Sequence, residues 1–242
     1  MTLVTYRLDA RVATITMDDG KVNALSPAML RELNAALDRA AEDRAVVVLT
    51  GREGVFSAGF DLNVLRGGGP DAPEMVRAGF ETAYRVLSFP LPVVMACTGH
   101  AIAMGLFLLE SGDYLVGAAG PYRFTANEVA IGLTVPDAGL AVLRQRLTPA
   151  AFNRATLLAE PFTADAAVAA GFLDRLVDAA DLLDVARSTA EALTGPPPSR
   201  PAPAARTHPA IDLDAHATTK LRARRATLAE IQASLDDAFA RL

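Results

Sequence analysis

The stretch Val55-Phe56-Ser57-Ala58-Gly59-Phe60-Asp61-Leu62 follows an apolar run, Val46-Val47-Val48-Leu49, that reads as a buried strand. A strand that empties into Ser-Ala-Gly-aromatic-Asp must turn. Gly59 permits tight backbone geometry, and Asp61 is suited to cap a following helix. Such a turn leaves backbone N–H groups that no carbonyl claims. N–H groups at a helix start suit an anion or a developing oxyanion. A second turn of this type follows in Gly99-His100-Ala101-Ile102-Ala103-Met104-Gly105. Two such turns point to chemistry on a carbonyl.

The elements that must position these turns alternate in type. Val4–Leu8 and Val12–Met17 read as short strands, with Asp18-Asp19-Gly20-Lys21 a turn. Ser26-Pro27 opens a helix, Ser26 as cap and Pro27 as first helical residue, and Leu30, Leu33, Leu37 and Ala40 form its apolar face. A strand over Ala45–Thr50 leads to the first turn. Gly67-Gly68-Gly69-Pro70 predicts a mobile loop before a helix over Ala72–Leu87. The spacing then predicts a strand over Val93–Cys97, a turn at Thr98–His100 and a helix from Met104. Further strands are expected at Leu115–Ala118 and Tyr122–Thr125, and helices near Asp137–Arg146, Ala150–Leu158 and Thr163–Ala170, the last closed by Gly171. The Pro-rich stretch from Gly195 to Pro203 predicts an extended or disordered linker. Beyond it, Leu221, Leu228, Ile231, Leu235 and Phe239 predict one face of a long helix, buried either on its own core or on a neighbouring subunit.

Composition narrows the function classes. The chain has 242 residues, and 51% are hydrophobic, enough for a sizeable core. The single cysteine, Cys97, excludes an internal disulfide framework and a cysteine-based zinc site, and fits a reducing, cytoplasmic compartment. A net charge of -5 and a pI of 5.2 argue against nucleic acid as a partner. Met1 to Arg7 shows no apolar signal core. Leu91 to Leu109 is almost wholly apolar, but Pro92, Gly99, His100 and Gly105 interrupt it, so a strand, a turn and a buried helix are expected rather than a membrane span. His208 and His216 join no set of metal ligands.

Asn23-Ala24-Leu25-Ser26, then Phe56 to Leu62, then Gly99 to Gly105 leading to Gly112-Asp113-Tyr114, resemble the crotonase superfamily, the enoyl-CoA hydratase/isomerase family. The resemblance covers residues 1–190 in order, and the wording is similar to mycobacterial-type enoyl-CoA hydratases. It implies an α/β fold, a spiral of ββα units over 1–190. A Pro-rich linker over 191–210 and a C-terminal helical segment over 211–242 that makes trimers complete the expectation. It also implies an acyl-CoA substrate, with coenzyme A entering only as part of it and no separate cofactor, and a homotrimer or a dimer of trimers.

The family's oxyanion donors carry over as the backbone N–H groups of Phe60 and Met104, with Gly105 the alternative to Met104 by one position. Both residues are bulkier than the alanine and glycine common there. Ala58 and Leu62 match positions whose carbonyls hold the CoA adenine, and Asp61, Gly105 and Phe107 belong to the same substrate-binding stretches. Family hydratases use two glutamates to hold and activate one water. The first position is Phe107 here and the second is Glu128. A phenylalanine neither accepts a proton nor holds a water. One carboxylate suffices for a proton shuttle, so the resemblance implies an isomerase that converts a 3-enoyl-CoA to a 2-enoyl-CoA. Val129, Ile131 and Leu133 predict an apolar setting that lifts the Glu128 pKa.

Other readings stand beside this one. A hydratase lacking one glutamate, a thioester hydrolase and a non-catalytic acyl-CoA-binding protein fit the same motifs. Glu110 is a substitute acid only if the helix turns it toward Phe107. His100 reads as structural, and Asp61 and Asp113 as caps or hydrogen-bond acceptors. Lys220, Arg222, Arg224 and Arg225 read as a solvated helix face, or as one contact to a CoA phosphate.

Overall fold

The computed structural model of the chain describes residues 2–67, 69–194 and 210–240, the last four as backbone alone. Strands β1 (Val4–Asp9) and β2 (Val12–Met17) pair antiparallel, from Val4↔Met17 to Asp9↔Val12. Helix α1 (Pro27–Glu42) starts where the capping residues place it: Ser26 Oγ accepts from the Met29 N–H, and Pro27 is the first helical residue. Its face of Leu30, Leu33, Leu37 and Ala40 is buried. Each leucine there contributes about 1.5–3 kcal/mol by leaving water.

The next units repeat one plan. Strand β3 (Val46–Thr50) is followed by β4 (Gly54–Ser57), then α2 (Leu62–Gly67) and α3 (Asp71–Ser88). Strand β5 (Val93–Cys97) is followed by β6 (Gly99–Ile102) and α4 (Met104–Leu109), and β7 (Tyr114–Ala118) by β8 (Arg123–Thr125). In each unit the first strand joins one sheet and the second joins another. Helices α5 (Asp137–Arg144) and α6 (Pro149–Leu157), strand β9 (Phe162–Thr163), helix α7 (Ala164–Ala170), strand β10 (Arg175–Val177) and helix α8 (Leu182–Thr194) complete the spiral. The large sheet has the order β1-β2-β3-β5-β7-β10 and is parallel except at β1/β2. The small sheet has the order β4-β6-β8-β9 and is parallel except at β8/β9. Strands β3 and β5 are buried throughout, as parallel strands covered on both faces must be.

Three expectations change. No turn occupies Thr98–His100; Gly99 opens β6 instead. A side chain at Gly99 would put its first carbon 2.0 Å from the Gly54 carbonyl, so only glycine lets β6 lie this close to β4. The turn falls at Ala103. Second, helix α8 runs to Thr194, so residues 191–194 are helical; the Pro-rich residues 195–209, with His208, lie outside the described residues. Third, the C-terminal helix is two helices, α9 (Leu213–Ala223) and α10 (Arg225–Ala240). Arg224 breaks it because its guanidinium is held by the carbonyls of Leu87 and Gly112 and by Asp113. Leu221 is therefore exposed, while Leu228, Ile231 and Leu235 are buried. Helix α10 packs on α3 and α5 of its own chain, and the Phe239 side chain lies outside the described residues. Among the described residues no helix is long and apolar enough to cross a membrane.

Candidate active site

The first turn hangs from Asn23 and Ser57, both fully buried. Asn23 Nδ2 donates to the carbonyls of Met17 and Phe56, and Ser57 Oγ donates to the Asn23 carbonyl and accepts from the Gly59 N–H. The Ala58 N–H donates to Val22 O, and the Leu25 N–H donates to Gly59 O. These bonds fix residues 57–59 and leave the Phe60 N–H without an acceptor among the described residues. Asp61 caps α2 by accepting from the Asn63 N–H.

The second turn lies against the first. Ala103 has φ 50 and ψ -125, a conformation that glycine adopts freely and alanine does not. Its N–H donates to Thr125 O, and its carbonyl accepts from the N–H groups of Leu106 and Phe107. The Met104 N–H opens α4 and has no acceptor among the described residues. A side chain at Gly59 would put its first carbon 3.3 Å from the Met104 nitrogen, so the turn that carries the Phe60 N–H lies against the one that carries the Met104 N–H. One at Gly105 would lie 2.4 Å from Ser57 O; Gly105 is the residue that lets α4 rest on β4.

A cavity of about 410 Å³ opens beside these donors, lined by Ala58, Phe60, Leu62, Leu65, Val76, Phe80, Ala103, Phe107, Asn127, Glu128, Ile131 and Leu133 among others. Of the residues singled out from the sequence, it gathers Ala58, Phe60, Leu62, Phe107 and Glu128. Asp61, Met104 and Gly105 flank it without lining it. Phe107 is buried and its ring stacks on Phe80 at 5.8 Å; Phe80 meets Phe60 edge-on at 6.5 Å.

Glu128 is 8% exposed, and burial raises its pKa above the usual carboxylate value, partly offset by a bond from its own backbone N–H. The apolar setting has a different source from the one expected. Val129, Ile131 and Leu133 are exposed, and Ile131 and Leu133 form the rim of the cavity. The aromatic wall supplies the dry surroundings. Among the described lining residues Glu128 is the single carboxylate, with Arg66 the single cation.

Glu110 is turned away from the cavity. It is fully buried, 3.6 Å from Arg146 Nε, and burial drives its pKa well up despite that neighbour. His100 Nδ1 accepts from the Arg123 N–H and its ring packs edge-on against Tyr122, a structural role. Asp113 accepts from the Val93 N–H, Lys220 and Arg224. Lys220 and Arg224 therefore leave the solvated face on which the sequence places them. Burial lowers the Lys220 pKa to about 8 although Asp113 lies 2.7 Å away. Arg222 and Arg225 remain exposed. Among the described residues no group of three or more histidine, cysteine or acidic side chains is placed to hold a metal.

Three residues of the site escape sequence reading. Sequence alone assigns Asn23 no role, although an asparagine just after the Asp18–Lys21 turn suits the positive φ of 52 that it adopts. Ala103 gives no sign of left-handed geometry because it is not glycine. Asn127 lines the cavity with a buried Oδ1 that meets no donor among the described residues.

Comparison with known proteins places this geometry. Residues 7–237 match the family described as enoyl-CoA hydratase/isomerase. The chain is 31% identical over 193 residues to EchA17 of Mycobacterium tuberculosis, described as a probable enoyl-CoA hydratase, covering 78% of this chain and 74% of that protein. A crystal structure of M. tuberculosis EchA3, described as a probable enoyl-CoA hydratase, is 46% identical with a TM-score of 0.90, over 99% of this chain and 95% of that one. A second structure of that M. tuberculosis protein is described as an enoyl-CoA isomerase; it has the same identity and a TM-score of 0.89, over 100% of this chain and 99% of that one. The human mitochondrial delta3-delta2-enoyl-CoA isomerase is 27% identical with a TM-score of 0.83, over 98% of this chain and 92% of that one.

Proposed function

The chain belongs to the enoyl-CoA hydratase/isomerase family, and we propose that it is an isomerase that moves a 3-enoyl-CoA double bond to the 2-position, with Glu128 as the single acid/base. The observation that carries this is the pairing of Glu128, the one carboxylate among the described lining residues, with the buried ring of Phe107. The Glu128 carboxylate takes a proton from the carbon next to the thioester carbonyl. The electron pair of that C–H bond passes into a dienolate whose charge rests on the thioester oxygen. The N–H groups of Phe60 and Met104 face that oxygen; one such donor is worth about 10²–10³ in rate. Glu128 then gives the proton to the carbon two positions on, and the 2-enoyl thioester leaves. Burial raises the Glu128 pKa, which makes the carboxylate a stronger base for the first step.

Ala58, Asp61, Leu62 and Gly105 belong to the stretches that bind the CoA moiety in this reading. The working form is a cytoplasmic homotrimer or dimer of trimers with no separate cofactor. A hydratase is the second reading, favoured by the description of EchA17 and by that of one of the two M. tuberculosis EchA3 structures. Turnover of a 3-enoyl-CoA and a 2-enoyl-CoA separates them, with wild type beside Glu128→Gln. Migration of the double bond, lost in the variant, without hydration of the 2-enoyl thioester, supports the isomerase. Hydration of the 2-enoyl thioester by the wild type would replace it with the hydratase. No reaction with either, with CoA binding retained, would leave a binding role.

A further inference from the structure

Asn127 precedes Glu128, and both line the same cavity. Asn127 Oδ1 and Glu128 Oε2 are both buried, and neither has a hydrogen-bond partner among the described residues. Both atoms are acceptors, so neither satisfies the other. Buried acceptors without donors are rare, and each calls for a physical account. Both oxygens are buried in the cavity wall rather than open to the cavity. A single proton on the Glu128 carboxyl would answer both deficits, turning one acceptor into an O–H donor and giving the other its partner. The proposed reaction supplies that proton once in every cycle.

We propose that Asn127 is a positioning residue for Glu128: its side-chain carbonyl accepts the hydrogen bond of the carboxyl group that forms when Glu128 takes the substrate proton. This rests on the reading of Glu128 as the acid/base. The C–H bond next to the thioester breaks, its electron pair stays with the dienolate, and the proton joins a Glu128 oxygen. The last torsion of a glutamate is soft and roughly two-fold. A half-turn therefore carries the O–H from the substrate to Asn127 Oδ1, and the reverse turn brings it to the carbon that receives it. In the interval Asn127 keeps the carboxyl in one orientation and stabilises its protonated form. Exposed Ile131 and Leu133 at the rim bring no competing donor. Arg66 is the one charged group besides Glu128 among the described lining residues.

The test is the pH profile of kcat/KM on trans-3-hexenoyl-CoA, with Asn127→Leu and Asn127→Asp beside wild type. Loss of one neutral acceptor should move the acidic limb of Asn127→Leu down by about half to one pH unit and lower kcat about three- to tenfold, with KM little changed. Leucine is more apolar than asparagine, and desolvation alone would move the limb up, so a downward shift is specific to the lost acceptor. Asn127→Asp should move the limb up. An unmoved or raised limb in Asn127→Leu overturns the assignment, a raised one by placing the amide N–H against Glu128. If Asn127→Leu does not fold, an unmoved limb in Asn127→Asp overturns it as well. Glu128→Gln run in parallel separates the two ideas. If it retains activity, both fall; if it is inactive while the limb of Asn127→Leu stays put, only the role of Asn127 falls.

Discussion

Ala103 holds the second turn in a conformation that its own side chain opposes. Its φ of 50 and ψ of -125 are those of a mirror-type turn, where glycine is the usual occupant. The strain of a non-glycine residue in such a region is about 1–3 kcal/mol. Replacement by glycine removes it. Two effects act against the gain. Glycine frees the unfolded chain, which costs about 0.4–1 kcal/mol. The lost methyl group, half-buried beside Gly59, takes away at most about 0.8 kcal/mol of burial. Ala103→Gly is therefore expected to stabilise the protein by about 1 kcal/mol, a rise in Tm of roughly 2–4 °C for a domain of this size.

The same substitution should not improve catalysis. The strained residue carries the three backbone bonds that aim the Met104 N–H: its own to Thr125 O, and those its carbonyl accepts from Leu106 and Phe107. A freer turn aims that donor less sharply, so kcat on a 3-enoyl-CoA should stay level or fall, by less than the roughly 10²-fold expected for losing the donor outright. Thermal melting and steady-state kinetics on one preparation read both quantities. A variant less stable than wild type by more than about 0.8 kcal/mol would refute the strain argument, because the two opposing effects together reach only about 1.8 kcal/mol against a strain of at least about 1 kcal/mol.

Gly79 makes room for Phe60: a side chain there would put its first carbon 2.5 Å from Cε1 and 2.6 Å from Cζ of the ring. Gly79→Ala should push the ring into the cavity and raise KM for acyl-CoA several-fold. The overpacking cost of about 1–3 kcal/mol is partly offset by about 1 kcal/mol of helix propensity; an unchanged KM would show that the ring has another place to go. Glu110→Gln tests a buried acid. Burial lifts the folded-state pKa of Glu110 well above 4.5, against the pull of Arg146. The folded state thus holds its proton to higher pH than the unfolded state, and the stability this gives is full below the unfolded pKa and lost as pH rises through the folded one. Wild type should lose Tm from pH 5 to pH 8 relative to Glu110→Gln, and parallel pH profiles would show that Glu110 stays ionised.

Much of this site is readable before any coordinates, because turn chemistry is local. Ser26-Pro27, the Ser-Ala-Gly-aromatic-Asp turn and the capping Asp61 depend on residues a few positions apart, and all three lie where their sequence puts them. What is not readable depends on contacts far along the chain. Strands β4 and β10 are short and carry weak patterns. The break at Arg224 arises from Leu87, Gly112 and Asp113, all more than a hundred positions away. The burial of Lys220 follows from the same Asp113. Asn127 looks like an ordinary loop residue until its oxygen is found without a donor inside the cavity.

Phe107 belongs to a set rather than standing as an isolated replacement. Its ring stacks on Phe80, and a side chain at Gly139 would put its first carbon 3.0 Å from the ring, so the bare position 139 lets α5 lie close to the ring without displacing it. Phe60 in turn needs the bare position at Gly79. Two glycines on two helices thus accommodate two rings in one wall, and this complementarity of size is what an aromatic lining requires at native packing density. A wall of this kind offers a water no hydrogen-bond partner, and its low dielectric strengthens electrostatic contacts inside the cavity. In the isomerase we propose, one carboxylate and two backbone N–H groups would carry a reaction whose only traffic is a proton between two carbons of the same substrate. Water is a reactant in hydration and a competitor in isomerisation. The packing of Phe60, Phe80 and Phe107 therefore bears on the choice of reaction as directly as the identity of the acid does.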